Sequence, residues 1–225
     1  MLTGVPERSG RTAMLGLAGI AAGAATVAAM HVLGPSAQVN ITRRTISEYA
    51  LLDNGWVFNS AVLLLAAGSV AVLLGLIRAG LVAAAGVGSA ALLFWVVGLL
   101  GVVIFPKHNW AVGPSISGDL HRMASVVAFL SLPVAALAVG FAWLRHPRWR
   151  RYGIAAVVLG GLCLACFAPI PVALLLEPVT GMRWWRAIPL GAVERLLATA
   201  EVVTLMTLGW WATRVSPCVR PGETG

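Results

Sequence analysis

The sequence predicts an all-α fold, a polytopic integral membrane bundle of six transmembrane helices. Three observations carry that prediction. Only 11% of the 225 residues are charged and 59% are hydrophobic, whereas a soluble domain carries about 25% charge; so little polar surface could not cover a water-exposed globule. The hydrophobic residues gather in continuous runs of about 20, enough to cross a ~30 Å hydrocarbon layer as a helix. Those runs lack the two-residue alternation of a barrel strand, which leaves helices, whose backbone groups are satisfied within the segment.

Each element follows from its local sequence. Residues 1–11 are a short polar N-terminus with Arg8 and Arg11. The six-helix domain spans 12–213. Its first run, Thr12 to Leu33, is longer than the ~7–15-residue core of a signal peptide and is followed by further spans, so it reads as a retained helix with His31 in its last turn. Gly34 to Gly55 is the longest connection, and Thr45 to Leu52 within it reads as a short helix at the interface. A connection of that length in a compact protein points to function or mobility.

The second span runs from Trp56, an interfacial aromatic, to Ile77, with Asn59 one turn inside. Arg78-Ala79-Gly80 reads as a tight turn. Leu81 to Ile104 is the third span, and its glycine and alanine content suits close helix packing. Phe105-Pro106 ends it, because proline cannot continue the hydrogen-bond ladder. A polar hinge with Lys107, His108 and Trp110 then runs to Gly118.

The fourth span is Asp119 to Leu144, its acidic residue complementing the helix dipole. The basic loop 145–151 leads to the fifth span, Tyr152 to Leu176. The loop 177–186 carries Trp184 and Trp185 as an interfacial pair. Ile188 to Thr213 is the sixth span, and 214–225 is a polar tail.

The loop 145–151 holds Arg145, Arg148, Arg150 and Arg151 at the membrane edge, so the positive-inside rule makes it cytoplasmic. Six spans then put both termini in the cytoplasm, with the plasma membrane as the location. The net charge of +8 sits in short loops, without a basic stripe interleaved with aromatics. It therefore points to anionic lipid headgroups as the partner, not to nucleic acid. The two halves share only apolarity, so no internal repeat is read, and no oligomeric state follows from the sequence.

On this topology His31, Asn59, His121, Arg122, Glu194 and Arg195 collect at the outer ends of helices, with Glu48 in the first outer connection. Together with the deeper Glu201 they are the candidate ligand-binding residues of an outward-facing polar pocket. Glu201 lies 13 residues beyond Ile188, about 20 Å along a helix rising ~1.5 Å per residue. Glu194 and Glu201 are seven apart and share a helical face. A charge at that depth costs about 2.5–3.5 kcal/mol, which makes an intramembrane acid either a functional residue or hydrogen-bonding glue between helices. Glu194 and Arg195, near the interface, read first as a structural ion pair.

His31 and His121 suit several chemistries. Two histidines on different helices near one leaflet have the geometry a b-type haem would require, but haem normally uses paired histidines deeper in the bundle, and no second pair is present. A metal site needs three or four ligands; His31, His121, Glu48 and Asp119 could supply them, but no compact ligand motif is present. No metal and no cofactor are therefore expected. His108 and His146 fall in loops and read as solvated. Cys163 and Cys166 lie in mid-span with nothing nearby to favour a thiolate, so they read as small packing residues. Cys218 in the tail is a candidate for acylation.

Five short motifs recur together in order and spacing: Ile46-Ser47-Glu48-Tyr49, Phe58-Asn59, Phe105-Pro106, Leu120-His121 and Gly191-Ala192-Val193-Glu194-Arg195-Leu196. With them, residues 12–213 resemble a bacterial and archaeal six-helix membrane family catalogued as domain of unknown function 998. The resemblance implies a polytopic membrane protein without assigned catalytic residues. It places Glu48, His121, Glu194 and Arg195 on matched positions. The Pro-Ser-Ile-Ser stretch of the hinge and Glu201 depart from its pattern.

Three functions are compatible with these residues. The first is a binding protein for an amphiphilic ligand, a lipid or isoprenoid-like molecule, in the outward-facing pocket. The second is a membrane-embedded transferase or hydrolase in which His121 works with Glu48 or Glu194 as acid and base. The third is a small proton-coupled transporter that uses Glu201.

Overall fold

A computed structural model describes residues 5–109 and 111–215, with side chains from Gly10 onward. Trp110, Cys218 and the rest of the tail beyond Val215 lie outside the described residues. The described chain is helical: α1 Val5–Met30, α2 Gly55–Arg78, α3 Val87–Ile104, α4 Ile116–Trp143, α5 Arg150–Phe167, α6 Pro169–Thr180, α7 Trp184–Ala187 and α8 Leu190–Arg214, with 3-10 turns at Pro35–Gln38 and Ile46–Leu51. Six helical stretches are long and apolar enough to cross a membrane, α5 and α6 together forming one of them.

The helices form a closed ring in the order α1, α2, α3, α4, α5, α8, with α8 returning to α1. Lipid tails give helices no hydrophobic drive to associate, so small residues that let backbones meet decide the packing. Gly16 of α1 and Gly68 of α2 face each other so closely that a Cβ on either would stand 2.7 Å from the other's carbonyl oxygen. Gly98 repeats the device between α3 and α4, where a Cβ would stand 2.7 Å from Ala128 N. The outer surface is apolar, as lipid requires: Leu175 and Val179 of α6 are exposed.

Several boundaries differ from the sequence expectation. Helix α1 starts at Val5, inside the stretch read as a polar N-terminus, and ends at Met30, so His31 follows it. The third span begins at Val87 rather than Leu81. Residues 79–86 form a longer turn, because the Leu81 carbonyl is taken by the indole N–H of Trp143 at 3.0 Å and that of Ala83 by the Ser89 hydroxyl at 2.8 Å. Helix α4 begins at Ile116 because the Ser115 side chain caps the Gly118 N–H at 3.1 Å. The fifth span is interrupted at Ala168, where Pro169 and Pro171 remove two helix donors, and it continues to Thr180.

The end of the bundle that carries the 145–151 loop is packed with aromatic rings. Trp143 and Trp211 are fully buried and meet edge to face at 6.0 Å. Tyr152 stacks on Trp211 at 5.5 Å. His146 is half-buried there rather than solvated, its ring 5.1 Å from Trp143.

Candidate functional site

At the opposite end the long first connection docks onto the start of α8. The Gly191 and Ala192 N–H groups both donate to the Thr42 carbonyl, at 2.9 and 3.2 Å. A side chain at position 191 would collide with the Ile41 and Arg44 carbonyls, so glycine is what lets the loop approach. Arg195 then binds the loop from beneath: Nη1 donates to the Ile41, Arg44 and Gly191 carbonyls, and Nη2 donates to the Tyr49 hydroxyl at 3.1 Å. Its Nε donates to His31 Nε2 at 2.8 Å, while His31 Nδ1 lies 2.8 Å from the Val27 carbonyl. His31 thus bridges Arg195 and the Val27 carbonyl.

Glu194 does not pair with Arg195. Its Oε2 accepts the Ile46 N–H at 2.6 Å, fixing the start of the second 3-10 turn. The expected ion pair gives way because both side chains satisfy backbone groups of the docked loop instead. Glu48 meets Lys107 of the hinge at 2.9 Å, and Lys107 also donates to the Thr45 hydroxyl. Lys107 ties the hinge to the docked loop, a contact that the sequence reading passed over. Its signal was available: it is the only lysine in the chain.

Beneath this roof lies a cavity of about 370 Å³. Ile46 and Ser47 close its polar end, together with His31, Glu194 and Arg195. Its walls are apolar, with the rings of Phe58, Trp95 and Phe129 on three different helices. The Trp95 N–H is satisfied by the Ser69 hydroxyl at 3.0 Å, so it offers the cavity no free donor. Glu201 also lines it. That side chain is 1% exposed, and neither carboxyl oxygen has a hydrogen-bond partner.

The exposed residues of the lining, Ala28, Thr199 and Val203, all belong to α1 and α8. The cavity therefore opens sideways between these two helices, toward the lipid. They touch at Leu17 and Gly209 below the opening and are tied by His31 and Arg195 above it. Leu17 and His31 lie 14 positions apart, about 20 Å at ~1.5 Å per residue.

Of the sequence-derived candidates, His31, Glu194, Arg195 and Glu201 meet in the lining, and Glu48 belongs to the loop that roofs it. His121, Asn59 and Arg122 are not in the lining. His121 is buried, with Nδ1 2.9 Å from the Phe105 carbonyl and Nε2 without a partner. Ser125, which is in the lining, donates its hydroxyl to the His121 backbone carbonyl at 2.9 Å. Arg122 is exposed and 3.9 Å from Asp119. His108 is not solvated: it is 4% exposed, accepts the Ser115 N–H at 3.0 Å and lies 3.3 Å from Asp119. It locks the hinge onto the start of α4 in the space that Gly118 leaves open. Among the described residues no group of three or more His, Cys, Asp or Glu side chains could hold a metal ion.

Residues 17–211 match the family described as protein of unknown function (DUF998), and the chain belongs to it. No curated protein and no solved structure matches it.

Proposed function

We propose that this member of the DUF998 family binds an amphiphilic molecule, a lipid or isoprenoid-like ligand, in the central cavity. The observation that carries the reading is the cavity's polarity profile: polar groups at one end, apolar and aromatic walls below, and an opening toward lipid between α1 and α8. Such a shape suits a ligand with a polar head and an apolar chain that arrives from the bilayer. Both termini face the cytoplasm in this reading and the roofed end lies outside, on the strength of the arginines at 145–151 in the plasma membrane.

A second reading, proton-coupled transport, has Glu201 in its favour: an unpartnered acid in a cavity open to lipid is the group such a device would protonate. The transferase or hydrolase reading has less support. It asks His121 to act with Glu48 or Glu194, and His121 is turned to the Phe105 carbonyl.

Native mass spectrometry of the protein in mild detergent tests the binding reading. The wild-type chain is expected to carry a lipid-like adduct. Ala198→Phe, which fills the lining, should lose the adduct, and Arg122→Ala, outside the cavity, should keep it. A chain that is bare in every form would sink the proposal.

A further inference from the structure

The charged groups of the cavity differ in what they have left to offer a ligand. Arg195 has committed its Nε and Nη1 donors to His31 and to three backbone carbonyls. Lys107 is held by Glu48 and Thr45. An anionic headgroup would find few free donors here. Glu201 is the opposite case: neither of its carboxyl oxygens has a partner, and the residue belongs to the cavity lining. Buried polar atoms in native structures are nearly always paired, so an unpaired one that lines a cavity marks where a ligand group belongs. The ligand group that fits is a hydrogen-bond donor.

Two further features select a cation. A charge-assisted hydrogen bond is about twice as strong as a neutral one, and more so where water is excluded. The rings of Phe58, Trp95 and Phe129 line the same cavity, and ring faces attract an ammonium group. We propose that Glu201 is the binding site for the ammonium group of a lipophilic amine that enters from the bilayer between α1 and α8, its chain lying along the apolar walls. This rests on the reading of the cavity as an amphiphile site and names the class of the ligand.

The test uses tritiated dodecylamine at neutral pH, with the full-length protein in nanodiscs and binding read by scintillation proximity. Dodecanol, of the same chain length and uncharged, is the competitor. Saturable binding of one amine per chain is expected, with dodecanol displacing it about tenfold more weakly or worse. Glu201→Gln, which keeps the side-chain shape, should reduce amine affinity about tenfold or more and abolish the preference over the alcohol. Equal affinity of amine and alcohol for the wild-type protein would overturn the proposal, and so would a preference that survives in Glu201→Gln. Should that variant fail to fold, the comparison of amine with alcohol on the wild-type chain decides alone. If the protein carries a lipid adduct yet binds no amine, the amine assignment falls and the amphiphile reading stands; with neither, both fall.

Discussion

The two ends of the bundle place their charged side chains by opposite means. At the 145–151 end, aromatic rings interlock around Trp143 and Trp211, and the basic residues stay outside as a cover, Arg148 4.9 Å above Trp149 and Arg151 5.0 Å above Tyr152. At the other end the charges themselves are folded in. Arg195, Glu194 and Lys107 satisfy a docked loop by hydrogen bonds, and packing stops just below them. Ring packing closes space completely but offers a ligand nothing. A hydrogen-bonded roof holds a loop in place without filling what lies beneath it. On the proposed reading, stability rests chiefly on the first end and binding on the second.

The largest effect should come from the packed end. Trp143→Ala removes a fully buried indole and its bond to the Leu81 carbonyl, and should cost about 3–5 kcal/mol. Thermal unfolding in detergent would show it, while the molecules that remain folded should keep any bound amphiphile. Arg195→Ala at the roofed end should cost about 2–4 kcal/mol, since three loop and helix carbonyls, the Tyr49 hydroxyl and His31 lose a donor. Its signature should be local: rapid proteolysis within residues 39–46 before global unfolding. If Trp143→Ala opened that loop equally, the two ends would be one cooperative unit and the contrast would fail.

What the sequence made legible divides along the same line. Length and apolarity specify the six spans, because lipid leaves a chain few alternatives. The outer collection of polar residues was visible from shared depth, and His31, Glu194 and Arg195 do meet in one lining, joined there by the deeper Glu201. Shared depth could not tell which way a side chain turns. His121 sits at the right level but bonds to Phe105, and Arg122, one residue on, faces outward. The role of Gly191-Ala192-Val193-Glu194-Arg195 as a receptor for the first loop is a contact across about 150 positions of sequence, which no local pattern encodes. The apolar walls were also hidden, since Phe58, Trp95 and Phe129 look like any other residue of a span.

Glu201 sharpens the comparison from inside the cavity. An unpaired buried acid burdens the fold, and an apolar side chain of similar size should relieve it. Glu201→Leu is expected to raise stability by about 1–3 kcal/mol in the same unfolding assay while removing amine binding. A loss of stability instead would mean that the carboxyl holds helices together, and the binding role would pass to the roofed end.

The smallest effect distinguishes charge from geometry at Glu194. Its recorded task is to accept the Ile46 N–H at 2.6 Å, and a glutamine at that position still presents a carbonyl oxygen. Glu194→Gln should therefore change stability by no more than about 0.5 kcal/mol and leave the loop resistant to protease, because the acceptor survives. Glu194→Leu removes the acceptor and strands a half-buried N–H, at a cost of about 1–3 kcal/mol, with the loop opening to cleavage near Ile46. If the glutamine variant behaved like the leucine one, the negative charge rather than the acceptor would be holding the roof. Glu194 would then stand beside Glu201 as a second acid whose charge the cavity uses, and the division between a structural roof and a binding floor would have to be redrawn.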